Sequence, residues 1–226
     1  TPEPVVAIGT SSNGFIGKTI QYVGKAAHAA DAPDQGINAL NAAMLGIMGI
    51  NALRETFRDD DAIRVHPIIT KGGDLVNNVP DDVRIETYVR AKTMDAIDRT
   101  NAKVDAALRA GGAAIGAKVN IDTLPGQLPL ICNQEMNELF VHNAQEAFPA
   151  VKITNAGHFS ASTDMGDVSH LMPAIHPFIG GVDGLLHGPD FKVVDFKAAA
   201  LLPGKAFAGM VIDLLSDDAK EAKKIL

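Results

Sequence analysis

Residues 83–90 constrain this chain more than any other stretch. Val83, Ile85, Thr87 and Val89 alternate there with Arg84, Glu86, Tyr88 and Arg90. Successive side chains of a strand point to opposite faces, so this run reads as one strand with a buried face and a polar face. The elements around it follow from their own periodicities. Ile16, Ile20 and Val23 mark a strand ending at Gly24. Ile37, Leu40, Met44, Ile47, Ile50, Leu53 and Phe57 recur at three- and four-residue steps, the spacing of one face of a helix, and Asp59, Asp60 and Asp61 close it. A strand is expected at about 63–70, with Val65 and Ile69 on one face and Gly72-Gly73 ending it. After the alternating strand, Thr93 can cap a second helix with Asp95 in its first turn and Met94, Ile97, Val104 and Leu108 as its stripe. Gly111-Gly112 is expected to end that helix, and Val119, Ile121 and Thr123 give a last strand before Pro125-Gly126. The order β-α-β-β-α-β over residues 15–124 is the ferredoxin-like split arrangement. It puts both helices on one face of the sheet and leaves Tyr88 and Arg90 on the other.

The flanking segments have a different character. Residues 1–14 are rich in Pro, Gly, Ser and Thr and read as a lead-in. Residues 125–226 offer a helix near 133–147, a Gly/Ser/Thr-rich passage at 157–169, and a strand-like stretch at 175–179. A long terminal helix follows, which Pro203-Gly204 should break or kink. These strands are too few to close a sheet, so the reading is an α+β domain inserted into an incomplete α/β domain. A net charge of -7 and the absence of Trp argue against a nucleic-acid surface. One cysteine, Cys132, allows no internal disulfide and fits a reducing, cytoplasmic setting. No apolar run is expected to span a membrane, and no cationic start with an apolar stretch suggests a secretory signal. The chain begins at Thr1 rather than Met, which reads as cleavage, processing or an engineered boundary.

Among seven histidines, no pair shows the His-Glu-x-x-His spacing, and no Gly-x-Ser-x-Gly elbow occurs. Cys132 beside Ile131 reads as an inert thiol. Gly180-Gly181-Val182-Asp183-Gly184 reads as a tight turn, because it lacks the Lys-Ser/Thr ending of a phosphate loop. Four places carry more. His28 lies between small alanines ahead of Pro33, a setting that exposes its imidazole. Arg90 ends the alternating strand, and a guanidinium fork binds a carboxylate through two hydrogen bonds. His187 sits on a turn before Gly188-Pro189, where a neutral imidazole is a common zinc ligand and equally an ordinary loop residue. Ser162 opens the passage Ser-Thr-Asp-Met-Gly-Asp-Val-Ser, which is either a ligand loop or one held by Asx-type turns.

Gly24-Lys25-Ala26-Ala27-His28-Ala29 with Pro33, Asn77-Asn78-Val79-Pro80-Asp81 running on to Arg90, and Leu186-His187-Gly188-Pro189 occur in this order. Together they resemble the later part of an M20-family metallopeptidase or amidohydrolase acting on p-aminobenzoyl-glutamate, N-acyl amino acids or dipeptides. The resemblance implies a lid domain that forms a homodimer, with His28 reaching into the other subunit's active site to stabilise an oxyanion. It implies that Arg90 and Asn77 hold the substrate carboxylate, with Asn78 standing in a slot that family members usually fill with an aliphatic residue. It gives Ser162 a substrate contact, and His187 a place on one metal of a two-metal centre of zinc, manganese or cobalt. The family's His-x-Asp pair, bridging acid and paired glutamates have no counterpart here. The chain alone is therefore expected to bind metal weakly and to hydrolyse nothing. The competing reading is a non-catalytic dimerisation or small-molecule-binding module built on the same lid fold.

Overall fold

A computed structural model describes all residues from Thr1 to Leu226. The chain divides into two compact units. One is Asn13–Pro129 with Ser160–Ser162; the other combines Thr1–Ser12, Leu130–Phe159 and Thr163–Leu226. Two strands of the second unit come first in the chain, β1 (Val5–Ile8) and β2 (Ser11–Ser12).

The first unit is built from β3 (Gly14–Val23), α1 (Ala39–Leu53), β4 (Arg64–Val65), β5 (Ile68–Lys71), β6 (Asp82–Ala91), α2 (Met94–Ile115) and β7 (Lys118–Gln127). β3 and β6 pair antiparallel without a gap from Gly14 opposite Ala91 to Val23 opposite Asp82. β7 lies on the far side of β3, while β4 and β5 both pair with the far side of β6. This is the expected ferredoxin-like sheet. Val83, Ile85, Thr87, Val89 and Ala91 are buried on the helix side, and Arg84, Glu86 and Tyr88 are exposed on the other. The core joins Ile20, Tyr22, Val65, Val83, Ile85 and Val89 of the sheet to Ile50, Val104 and Leu108 of the helices. Within it, the Tyr22 hydroxyl donates to the Leu108 carbonyl at 2.9 Å, and burial pushes its pKa up to about 12. Lys18 is also buried: its Nζ donates to Asn101 Oδ1 and Thr123 Oγ1 at 2.7 Å each and pairs with Asp105 at 2.7 Å. A buried ammonium is tolerated only with such complete pairing.

Several local expectations are corrected. Gly111-Gly112 does not end the second helix, which runs to Ile115 and closes at Gly116 in the left-handed region. The two glycines are there for close packing. A Cβ on Gly111 would strike the Gly46 backbone and meet the Ala42 carbonyl at 2.6 Å, so the backbones of α1 and α2 touch. For the same reason the buried line of α1 consists of small residues, Ala39, Ala42, Ala43 and Gly46, with Ile50. Met44, expected inside, is 51% exposed. The strand at 63–70 is split in two at His66-Pro67. β7 continues through Pro125, which an edge strand permits because no neighbour needs its missing N–H.

The second unit adds α3 (Gln134–Ala147), β8 (Lys152–Asn155), β9 (His158–Phe159), α4 (Met165–Ser169), β10 (Phe178–Ile179), β11 (Val182–Asp183), β12 (Lys192–Val193) and α5 (Leu202–Ile225). β1 is the centre of a three-stranded sheet, parallel to β8 and antiparallel to β10. Val6, Phe140, Ala144, Leu202, Ala206 and Met210 form the core beside it. Pro203 does not break the last helix. A π-helical stretch, Lys197–Leu201, runs directly into α5, and Pro203 falls where the winding changes from π to α. The break lies further on, where Asp217, Asp218 and Ala219 take positive φ. The expectation about membrane-length segments also needs correcting. The helical run Lys197–Ile225 is long and apolar enough to cross a membrane by length and composition, with a mean hydropathy of 1.5 in its most apolar window. In this chain its Leu202, Ala206 and Met210 pack beside Phe140 of α3.

Candidate functional site

The helix-free face of the first unit carries a groove of about 480 Å³, lined among others by Gly17, Arg64, His66, Glu86, Tyr88 and Arg90. Strand register explains the composition. Arg64 lies opposite Arg90, which in turn lies opposite Phe15. Tyr88 lies opposite Gly17, and Glu86 opposite both Ile68 and Thr19. Gly17 leaves the floor open: a Cβ there would rest against the Tyr88 ring and Leu124 at 3.6 Å.

Arg90 is half-buried and held on two sides. Its guanidinium carbon sits 4.9 Å from the Phe15 ring centroid and 5.0 Å from that of Tyr88, the two rings being 4.6 Å apart. Its Nη1 donates to Ser162 Oγ at 2.7 Å. Stacking and one hydroxyl fix the fork without neutralising it, and the chain places no carboxylate in ion-pair range of it. A pre-oriented, unneutralised guanidinium in a groove is suited to a ligand carboxylate. The structure thus brings Arg90 and Ser162 together.

His28 and Asn77 lie at the other end of the sheet. Both are exposed. The His28 loop and the segment after Gly73 run side by side: His28 bridges Asn78, the Ala29 N–H donates to the Asn77 carbonyl at 2.9 Å, and the Val79 N–H donates to the Ala27 carbonyl at 2.9 Å. Nδ1 of His28 accepts from the Asp31 N–H at 3.0 Å and the Ala30 N–H at 3.3 Å. An acceptor Nδ1 requires the proton of a neutral imidazole to sit on Nε2, which then points away from its own loop as a donor. From Phe15 opposite Arg90 to Val23 opposite Asp82 is eight strand residues, about 26 Å, and His28 lies beyond Val23. Within one subunit, therefore, Asn77 and Arg90 do not meet on one carboxylate. Residue spacing showed that each belonged to a motif but not that the motifs sit at opposite strand ends.

His187 belongs to the second unit. It has φ 64 in the loop between β11 and β12, and it is exposed. No three His, Cys, Asp or Glu side chains in the chain converge as a metal site would require. His187 by itself is one ligand of a set, and these residues do not fit a two-metal centre. Of the passage 162–169, Ser162 belongs to the first unit and bonds Arg90; Met165–Ser169 forms α4, and Ser169 donates to the Gly166 carbonyl at 2.6 Å. Phe15, Arg64 and the Ser162 contact were not singled out beforehand. Only the pairing register could have found them, since it alone says which residues flank Arg90.

Residues 10–115 match the peptidase dimerisation domain of the M20 family. The chain is 32% identical to a mouse Xaa-Arg dipeptidase and 31% identical to a human one, each over 207 residues, 87% of this chain and 47% of the relative. It belongs to the M20 peptidase family and spans about half the length of the curated relatives it matches. A putative aminohydrolase from methicillin-resistant Staphylococcus aureus superposes with a TM-score of 0.74 at 16% identity, covering 92% of this chain and 55% of that one. An aminobenzoyl-glutamate utilization protein from Klebsiella pneumoniae superposes with a TM-score of 0.59 at 19% identity, covering 76% and 43%. At those identities the structures establish the shared fold.

Proposed function

We propose that this chain supplies the substrate-holding lid, and part of the catalytic domain, of a cytoplasmic metal-dependent hydrolase that cleaves the amide bond of a dipeptide or N-acyl amino acid. The Xaa-Arg dipeptidase relatives favour a dipeptide over p-aminobenzoyl-glutamate. The observation that carries the reading is Arg90: a guanidinium held by Phe15, Tyr88 and Ser162, lining a groove and with no carboxylate of the chain in ion-pair range. In this reading it binds the free carboxylate of the amino acid, and Ser162 fixes its fork.

His28 acts from the second subunit of a dimer. Its Nε2–H is a donor suited to the oxyanion that forms when the amide carbon is attacked, yet its own Arg90 is too far away to share a substrate with it. Asn77, bridged to the His28 loop, travels with it. The first unit offers two surfaces for that dimer: β5 lies at the edge of the sheet, and α1 exposes Met44, Leu45 and Met48. The metals, whether zinc, manganese or cobalt, would need ligands beyond His187. The chain by itself then binds an acyl amino acid without hydrolysing it. The lack of a ligand cluster equally suits a binding module that never hydrolyses, and that reading shares the Arg90 site.

Titration calorimetry with N-acetyl-L-norleucine tests the site. Arg90→Ala should lower affinity by about tenfold or more, the loss of a charge-assisted hydrogen-bond pair. Unchanged affinity would refute it. Sedimentation equilibrium should show a dimer, and a monomer at high concentration would remove His28 from the mechanism.

A further inference from the structure

A second cavity of the first unit lies where α1 gives way to β4, and the role of Arg90 makes no use of it. The chain leaves α1 through two short 3-10 turns, Arg54–Thr56 and Asp59–Asp61. Ala62, at φ 49, then swings it into β4. These turns bring Arg54, Arg58 and Arg64 around one pocket of about 410 Å³. Phe57 and Ile63 give it an apolar wall, and both also pack against the core of the unit. Nε of Arg54 donates to Asn51 Oδ1 at 3.1 Å, and its Nη2 donates to the Val65 carbonyl at 2.8 Å. Nη1 of Arg64 donates to the Ile63 carbonyl at 2.9 Å. A guanidinium carries more N–H donors than these bonds use, so both forks are positioned with donors to spare. None of the three arginines forms an ion pair within the chain.

Charge and size together say what such a pocket takes. Asp59 is the one acid in its lining, and the neighbouring Asp61 is committed to Arg99 at 3.0 Å. Three guanidinium groups against one carboxylate leave two positive charges in excess. The C-terminal end of α1 offsets about half a charge of that. What remains exceeds the charge of a single carboxylate and approaches that of a phosphate monoester, about −1.5 to −2 at neutral pH. The volume falls in the range of small-molecule sites, about 300–1,000 Å³. A bare ion would leave most of it, and the apolar wall, unused. We propose that Arg54, Arg58 and Arg64 bind the phosphate group of a small phosphate monoester, whose organic part rests on Phe57 and Ile63. Arginine forks suit phosphate oxygens as they suit carboxylates. The site is separate from the carboxylate on Arg90, although Arg64 lines both cavities.

Titration calorimetry on the full chain tests the site with glycerol 3-phosphate, inorganic phosphate and acetate, since binding needs no turnover. Glycerol 3-phosphate should bind with a Kd of about 1 mM or below, and inorganic phosphate more weakly. Acetate, with half the charge, should bind about tenfold more weakly than the ester. Arg58→Gln should weaken glycerol 3-phosphate about fivefold, the range of a solvent-accessible ion pair, and leave N-acetyl-L-norleucine affinity unchanged. Arg58 is exposed and in no ion pair, so the fold is not at stake. Arg109→Gln removes the same charge from an exposed position on α2 and should change nothing. Equal weakening by the two substitutions, or none by Arg58→Gln, overturns the proposal, as does absence of glycerol 3-phosphate binding at high millimolar concentration. Binding lost in Arg90→Ala but kept in Arg58→Gln would move the phosphate to the groove and overturn it too. Tighter binding of inorganic phosphate than of the ester would overturn the assignment to a monoester.

Discussion

The two units of this chain hold together in different ways. In the first, ten-residue strands pair along their whole length, and two helices meet backbone to backbone across Gly46 and Gly111. In the second, no strand exceeds four residues, and α5 buries Leu202, Ala206 and Met210 while exposing Phe207, Val211, Ile212 and Leu215. The contact between α3 and α5 also differs in kind. A Cβ on Gly209 would strike the Asn143 amide, a side chain, rather than backbone. A fully paired sheet under tightly apposed helices is rigid enough to hold a pre-oriented Arg90. A unit with an open apolar helix face buries less of what it could bury. The first unit is therefore expected to be the more stable, melting separately from the second.

The largest effect that could break this comparison comes from the two glycines. Gly111→Ala forces a methyl group into the α1 backbone, which cannot move without parting the helices, and should cost the first unit about 3 kcal/mol. Gly209→Ala meets an amide that can turn away. It gives up the Asn143 bonds to the Leu139 carbonyl and Asp213 Oδ2, and it gains from alanine's better helix propensity, for a net change of about 1 kcal/mol or less. Differential scanning calorimetry should show the first substitution lowering one transition strongly and the second barely moving the other. Equal effects would mean that the two helix pairs are packed alike.

The same contrast explains what the sequence made legible. Alternation at residues 83–90 and the stripe of α2 located the sheet and its faces, because each side chain there obeys a local period. The Thr93 cap was readable for the same reason, and its hydroxyl accepts the Ala96 N–H at 3.1 Å. Gly111-Gly112 misled because glycine has two uses, ending a helix and letting another backbone approach, and only the partner helix decides which. Met44 misled because a helix lined with Ala and Gly buries its small side and leaves the large residues out. For the site, Arg90 was visible from its place at the end of a strand. Ser162 beside it and the separation from Asn77 were not, since both depend on register and on contacts between residues 72 positions apart. In the second unit, where strands are short and loops long, local period said little: the break or kink expected at Pro203 is a change from π to α winding, and the full break lies at 217–219.

The smallest effect sharpens the comparison from the edge of the first unit's sheet. Asp82 opens β6 and ties three strands: it accepts from Gln21 Nε2 of β3 at 2.8 Å, Lys71 Nζ of β5 at 3.1 Å and Arg84 Nη2 of β6 at 3.2 Å. The Gln21 hydrogen bond, joined by those from Lys71 and Arg84, holds its pKa down at about 2 against an ordinary 3.8. A carboxylate whose folded pKa is depressed stabilises the fold above its unfolded pKa. That contribution is complete above about pH 4 and is lost as pH falls towards 2. Because the groups are largely solvated, the contribution is small. Asp82→Asn should lower the first unit's transition by about 2 °C at pH 7 and by less at pH 2, where the native carboxyl is itself half-protonated. The second unit's transition should respond to neither change. If Asp82→Asn shifted both transitions together, the two units would unfold as one, and the difference between a sheet of long paired strands and one of short strands would carry no energetic weight.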